Sequence, residues 1–175
     1  MALSQRASWI WGPYSGLGLS LALLTLALDQ GHKAWMLLVY RIQDRGRVIV
    51  APFLDLVFTK NEGVSYGLFV QESQLGQWLL AGFAGVATVL MAIWLAHGMT
   101  NRLMAASVGL IMGGAISNAV DRLVLGGVAD FFQPHAFGLY WPFVFNIADV
   151  AIVAGVTGLL YDSFILSRER AQKST

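Results

Sequence analysis

The chain has 175 residues, of which 57% are hydrophobic and only 12% are charged, with a mean hydropathy of +0.63. A soluble domain carries about twice that charged fraction, so the composition favours an integral membrane protein. The formal net charge of +1, without a basic stripe, excludes a nucleic-acid partner. The lack of cysteine excludes disulfides and thiolate chemistry, and the three scattered histidines lack metal-ligand spacing. We therefore expect neither a cofactor nor a metal.

Four apolar segments are long enough to cross a hydrocarbon core, which needs about 20 residues. They cover approximately residues 16–40, 78–96, 103–123 and 146–166. The first is interpreted as an uncleaved anchor, because no clear small-residue cleavage site followed by a soluble body is present. The third is rich in glycine and alanine, which let membrane helices approach closely. The sequence thus predicts an all-α membrane protein with four transmembrane helices, forming one domain over residues 1–175.

The loop between the first two predicted spans has a different character. Residues 54–60 and 64–70 are β-prone, residues 61–63 separate them as a turn would, and Pro52 interrupts the chain before them. We therefore predict a small extracytoplasmic β-sheet over about residues 47–70, resting on the outer membrane face.

The distribution of basic residues says little about orientation. Four spans place both termini on one side, and lysine and arginine divide five to six between the two sides. The basic tail that follows the last span favours cytoplasmic termini.

Two carboxylates stand out, because an acid near hydrocarbon is costly and marks a functional site by default. Asp130 follows the third span and Asp149 begins the fourth, so a simple hairpin would bring both to one membrane surface. Two Asn-x-x-Asp elements, Asn118 with Asp121 and Asn146 with Asp149, would each present an amide and a carboxylate on one helix face. Two neighbouring acids share a proton, so one can deprotonate water while the other protonates a carbonyl oxygen. The pattern indicates aspartic-protease chemistry.

Structural explanations of the same residues stay open. Asn146 would cap the fourth helix, with Asp149 interacting with its exposed N–H groups. Asp121 and Arg122 would be interface charges at the end of the third span.

A second polar pair lies in the first predicted span. Asp29 and Lys33 are four residues apart and would form an ion pair on one helix face near the interface. Alternatively, they would fix a polar end of the substrate.

Four blocks along nearly the whole chain resemble the lipoprotein signal peptidases of bacteria, which are type II signal peptidases and aspartic membrane proteases. In chain order the blocks are Asp29-x-x-x-Lys33, Lys60-Asn61-Glu-Gly63-Val-Ser-Tyr-Gly-Leu-Phe69, Gly113-Gly-Ala-x-x-Asn118-x-x-Asp121-Arg122-x-x-x-Gly-x-Val-x-Asp130-Phe131, and Phe145-Asn146-x-Ala148-Asp149. One position departs from the family pattern, which usually has glycine where this chain has Ser117.

The resemblance implies a four-helix protease of the bacterial inner membrane, with cytoplasmic termini and an active site toward the outer face. It would cleave the signal peptide of prolipoproteins just before a diacylglyceryl-modified cysteine. Asp130 and Asp149 match the catalytic pair. The supporting positions match Asn61, Gly63, Asn118, Asp121, Arg122, Asn146, Asp29 and Lys33. The implied partners are lipid-modified prolipoprotein signal peptides, membrane lipids and inhibitors of the globomycin type.

Two other functions would also explain a pair of membrane acids. In a small transporter or channel, the acids would relay protons or cations, but relay acids usually lie near the middle of the bilayer rather than at span ends. A noncatalytic binder of lipoprotein precursors would tolerate the loss of one acid, whereas a protease would not.

Overall fold

The computed structural model describes residues 11–63, 73–137 and 139–166. Its helices are α1 (Ser15–Ala34, continued by a π-helical turn over Trp35–Val39), α2 (Ile42–Arg45), α3 (Gln74–His97), α4 (Arg102–Leu125) and α5 (Ile147–Tyr161, continued by a π-helical turn over Asp162–Leu166). Its strands are β1 (Val48–Ala51), β2 (Leu54–Asn61), β3 (Val128–Ala136) and β4 (Leu139–Tyr140).

Within the described ranges, three helical segments are long and apolar enough to cross a membrane: Gln74–His97, Arg102–Leu125 and Ile147–Ile165. They correspond to the second, third and fourth predicted spans, with ends shifted by a few residues. The first predicted span is also helical as α1, but it is not among these three. Its second half carries Asp29, Gln30, His32 and Lys33, which make this helix the most polar of the long ones.

Helix α4 lies at the centre of the helical layer and contacts α1, α3 and α5. Small residues allow these contacts, because an added methyl group at Gly113 would collide with the backbone of α1. At Gly114 an added Cβ would lie 2.6 Å from the carbonyl oxygen of Ala148 in α5. Small residues on α4 therefore set how closely the first turn of α5 approaches it, as the sequence predicted for the third span.

The four strands form one antiparallel sheet in the order β1-β2-β3-β4. Helix α4 ends at Leu125, and the following Gly126, whose φ of +71° is left-handed, turns the chain into β3. In the pairing of β2 with β3, Thr59 lies opposite Asp130 and Asn61 opposite Val128. The sheet thus places the first residues of β3 beside the end of β2.

The predicted β region over residues 47–70 contains β1 and β2 but not the rest of the sheet. Strands β3 and β4 come from the connection between α4 and α5, so the sheet is not confined to the loop between the first two spans. The predicted strand over residues 64–70 lies outside the described residues. A buried cluster at the end of α1 anchors the sheet to the helices through Met36, Ile42, Ala129 and Phe131.

Candidate active site

Asp149 is held at the beginning of α5 by a capping box. Asn146 precedes the helix, and its side-chain oxygen accepts a hydrogen bond from the Asp149 N–H at 2.9 Å. In return, Asp149 Oδ2 accepts from the Asn146 N–H at 3.2 Å. The capping role predicted as a structural explanation is therefore present. It leaves the second carboxylate oxygen of Asp149 available for another partner.

Asp130 is the third residue of β3 and is only 1% exposed. Its Oδ1 accepts a hydrogen bond from Asn146 Nδ2 at 2.7 Å, and its Oδ2 accepts from Asn61 Nδ2 at 3.2 Å. The carboxyl group of Asp130 is thus bound from both sides, by the residue that caps α5 and by the last residue of β2.

Two asparagine amides connect the two acids. Asn118 Nδ2 donates to Asp149 Oδ1 at 2.9 Å, and Asn118 Oδ1 accepts from Asn146 Nδ2 at 3.2 Å. Lys33 Nζ, which can only donate, also contacts Asn118 Oδ1 at 3.1 Å. This lysine therefore fixes the amide orientation of Asn118, which turns its NH₂ group toward Asp149. The structure brings Asp130 and Asp149 to one site on a continuous polar network.

The Lys33 ammonium is buried and pairs with two further carboxylates. It lies 2.6 Å from Asp29 Oδ2 and 2.7 Å from Asp121 Oδ2. The i,i+4 ion pair expected from the sequence is therefore present, but it is buried and includes a third charged residue, on α4. Since an unpaired buried charge is costly, these three groups stabilise one another.

Arg122 and Gly63 join the end of β2 to α4. Arg122 Nη2 donates to the Gly63 carbonyl oxygen at 3.0 Å, and Nη1 donates to the Asn118 carbonyl oxygen at 3.2 Å. The Gly63 N–H donates to Asn61 Oδ1 at 3.1 Å, which forms a turn after the strand. Asn61 is thereby oriented with its amide NH₂ group toward Asp130. The eight supporting residues predicted from the sequence all contact one another or the two acids.

The electrostatics of Asp130 favour its protonated form. Burial raises the pKa of Asp130 to about 7, and the nearby charge of Asp149 adds to the rise. Hydrogen bonds from Asn61 and Asn146 and the positive charge of Lys33 oppose this rise without cancelling it. Near neutral pH, Asp130 can therefore hold a proton beside a second carboxylate.

Two members of the network were not predicted as site residues. Ser117 Oγ donates to Asp29 Oδ2 at 2.7 Å, and Gln30 Nε2 donates to Asp121 Oδ1 at 2.8 Å. Both residues are adjacent in sequence to predicted site residues, but their partners lie about 90 positions away, so spacing alone gave no indication. In the described part of the chain, no group of His, Asp and Glu side chains is arranged to hold a metal ion.

The fold and the site together define a helical membrane protein in which two carboxyl groups share one polar network, as expected of an aspartic membrane protease. A family model described as signal peptidase (SPase) II matches residues 21–165. The chain therefore belongs to the signal peptidase II family.

Curated relatives carry the same function in their names. A lipoprotein signal peptidase of Methylobacterium sp. (strain 4-46) is 50% identical over 147 residues, which cover 84% of this chain and 88% of the relative. One of Methylocella silvestris is 47% identical over 152 residues, covering 87% and 88%. One of Nitrobacter hamburgensis is 49% identical over 151 residues, covering 85% and 92%. This protein is thus similar to lipoprotein signal peptidases along most of its length.

Solved structures support the fold independently. A bacterial membrane enzyme determined at 2.3 Å resolution by the in meso method has a TM-score of 0.68 and 25% identity. The match covers 85% of this chain and 90% of that enzyme. A match over most of both chains supports a membrane-embedded fold.

Proposed function

We propose that this lipoprotein signal peptidase uses Asp130 and Asp149 as the catalytic pair of an aspartic endopeptidase. Its substrates would be diacylglyceryl-modified prolipoproteins, cleaved just before the lipidated cysteine. The observation that carries this proposal is the shared amide network, in which Asn146 contacts Asp130 while Asn118 contacts Asp149. Both acids lie at element ends rather than in the middle of a span, which disfavours a transport relay.

The two acids would have different roles. Asp149 lies in the first turn of α5, where the helix dipole and N–H groups favour the ionised form, so it would take a proton from water. Asp130, with a pKa of about 7, would donate its proton to the oxygen of the scissile carbonyl. The hydroxyl from water forms the new bond to the carbonyl carbon. When the tetrahedral intermediate collapses, the C–N bond would break as Asp149 gives its proton to the leaving amine, and Asp130 would take a proton back from the hydroxyl group.

The membrane arrangement would follow from the same geometry. With α1 as a fourth span, both termini would lie in the cytoplasm of a bacterium and the acids would face the outer surface of the inner membrane. The substrate would enter sideways from the bilayer, with its signal helix along α4 and α5. The first residues of β3 and the end of β2 lie next to the acids. From there the sheet would cover the lipid-bearing residue and limit the access of water.

The direct test is cleavage of a lipidated precursor by purified protein in detergent, followed by gel shift. Asp130→Asn and Asp149→Asn should each abolish cleavage while the protein remains inserted and folded. Asp44→Asn is a matched control, because this acid is exposed and pairs only with Arg41 in the described structure. Normal turnover by Asp130→Asn protein would end the proposal, and precursor binding without cleavage by the wild type would favour a noncatalytic binder. Inhibition by a globomycin-type peptide would support the expected inhibitor class.

A further inference from the structure

Two other carboxylates each hold the backbone directly before a proposed catalytic acid. Asp29 Oδ1 accepts a hydrogen bond from the Ala148 N–H at 2.9 Å, and Ala148 precedes Asp149. Asp121 Oδ2 accepts from the Ala129 N–H at 3.0 Å, and Ala129 precedes Asp130. The two carboxylates therefore help to place both acids, in addition to the capping box at Asp149 and the strand pairing at Asp130.

Two separate bridges connect Asp29 with Asp121. The first is ionic, because Lys33 Nζ contacts both carboxylates. The second is neutral: Ser117 Oγ donates to Asp29 Oδ2 at 2.7 Å, and Gln30 Nε2 donates to Ser117 Oγ at 3.0 Å and to Asp121 Oδ1 at 2.8 Å. The neutral bridge runs beside the ionic one and joins the same two groups.

The two bridges differ in the stiffness of the side chains that form them. The three ammonium protons of Lys33 are divided among Asp29, Asp121 and Asn118, and its side chain is a long flexible stem. Ser117 is completely buried. Its side chain is short, so its hydroxyl group holds Asp29 from a fixed point on α4. Gln30 Nε2 also lies 3.1 Å from the Ser117 carbonyl oxygen, so its two N–H protons are shared among that oxygen, Ser117 Oγ and Asp121 Oδ1.

We propose that Ser117 and Gln30 form a neutral bridge that positions the proposed catalytic pair by fixing the spacing of Asp29 and Asp121. This inference rests on the proposed roles of Asp130 and Asp149. Neither Ser117 nor Gln30 touches the reacting atoms, so both are positioning residues. Their effect reaches each acid through the peptide N–H that precedes it.

Loss of the bridge should impair turnover rather than binding. Ser117→Ala and Gln30→Met should each lower kcat by about tenfold with KM within about twofold, because small misplacements of reacting groups reduce rates steeply. The pH profile of kcat should also move, since the spacing of two coupled acids sets their shared titration. A smaller fraction of folded enzyme would lower the whole profile without moving it along the pH axis.

The double variant supplies a second test. If both residues act through one bridge, Ser117→Ala with Gln30→Met should lose no more activity than the worse single variant. If the two substitutions caused independent structural defects, their fold losses of activity would instead multiply. Ser107→Ala is the matched control, because Ser107 is another buried serine of α4, placed ten residues earlier and facing the far end of α5. It should keep wild-type kcat and pH dependence.

The outcomes separate this inference from the proposed function. Unchanged kcat and pH profile in both single variants, with cleavage still abolished by Asp130→Asn, would overturn the bridge alone. Cleavage by Asp130→Asn would overturn the function instead. If Ser117→Ala does not fold, the test depends on Gln30→Met, since Gln30 is only half-buried. An unchanged pH profile of kcat in that variant would refute the bridge, and a shifted profile would support it.

Discussion

Asn146 combines two structural roles that substitutions can separate. Its side-chain oxygen caps α5, while its NH₂ group donates to Asp130 Oδ1 at 2.7 Å. Asn146→Ala removes both interactions. Asn146→Ser keeps an oxygen that can cap the helix, but serine is too short to donate to Asp130 from the same position. Comparing the two variants therefore tests whether Asn146 is only a helix cap.

Typical energies of a helix cap and of a hydrogen bond give the expected effects of the two substitutions. Loss of an asparagine cap costs about 1 kcal/mol, and serine caps nearly as well as asparagine. In the proposed mechanism Asp130 becomes charged as it gives up its proton, and loss of a hydrogen bond to a charged group costs about 1.5–3 kcal/mol. If that bond is made in the transition state, its loss corresponds to a roughly 10- to 150-fold lower kcat. Asn146→Ala should thus be about 1 kcal/mol less stable than Asn146→Ser, while the two lose similar activity.

The assay combines kcat and KM for a lipidated precursor peptide with thermal unfolding in the same detergent. Asn101 offers a matched control, because it caps α4 through the Met104 N–H at 3.0 Å and also donates to a carboxylate, Asp162, at 2.9 Å. Asn101→Ala and Asn101→Ser should differ in stability as the Asn146 variants do, without loss of kcat. Full activity in Asn146→Ser would refute the reasoning and reduce Asn146 to a cap.

Three further predictions follow from the same site. Because burial raises the pKa of Asp130 to about 7, the rate of cleavage should fall as the pH rises through that value and the acid loses its proton. Asn61→Ala removes a hydrogen bond that favours the ionised form of Asp130, so it should move this fall in rate to higher pH. Gly114→Ala should displace the first turn of α5 and lower kcat at least tenfold, whereas Gly82→Ala, where an added Cβ has no neighbour within 4 Å, should leave activity unchanged. Lys33→Met leaves buried carboxylates without their cation and should cost about 3–5 kcal/mol in thermal or denaturant unfolding; an unchanged unfolding midpoint would contradict this.

Local patterns explain which parts of the site could be predicted. Asn146 and Asp149 are three residues apart at the start of an apolar run, and this spacing gives both the cap and the shared orientation. Asp29 and Lys33 are four apart and do form an ion pair. Each of these contacts is decided within one helical turn, where sequence spacing translates directly into distance.

Contacts between distant segments could not be predicted in the same way. Asp130 was expected in a simple hairpin between the third and fourth spans, whereas it lies on β3, whose pairing with β2 joins residues about 70 positions apart. The first four residues of β3 are all buried, so no alternation of apolar and polar residues indicates a strand there, and nothing local identifies its partner. The burial of Lys33 likewise depends on Asp121 from another helix, and a pair of charges on α1 does not reveal a third.

The placement of the two acids on different elements explains how identical side chains can take different roles. Asp149 lies in the first turn of α5, at the positive end of the helix dipole, and its two oxygens accept from the Asn146 backbone N–H and the Asn118 amide. Asp130 lies on a strand, which offers no comparable dipole, and the hydrogen bonds that it accepts from described residues come from two side-chain amides. This difference supports the proposal that Asp149 takes the negative charge and Asp130 the proton. A site built from two helix termini would lack this difference, and neither acid would be assigned in advance as the proton donor.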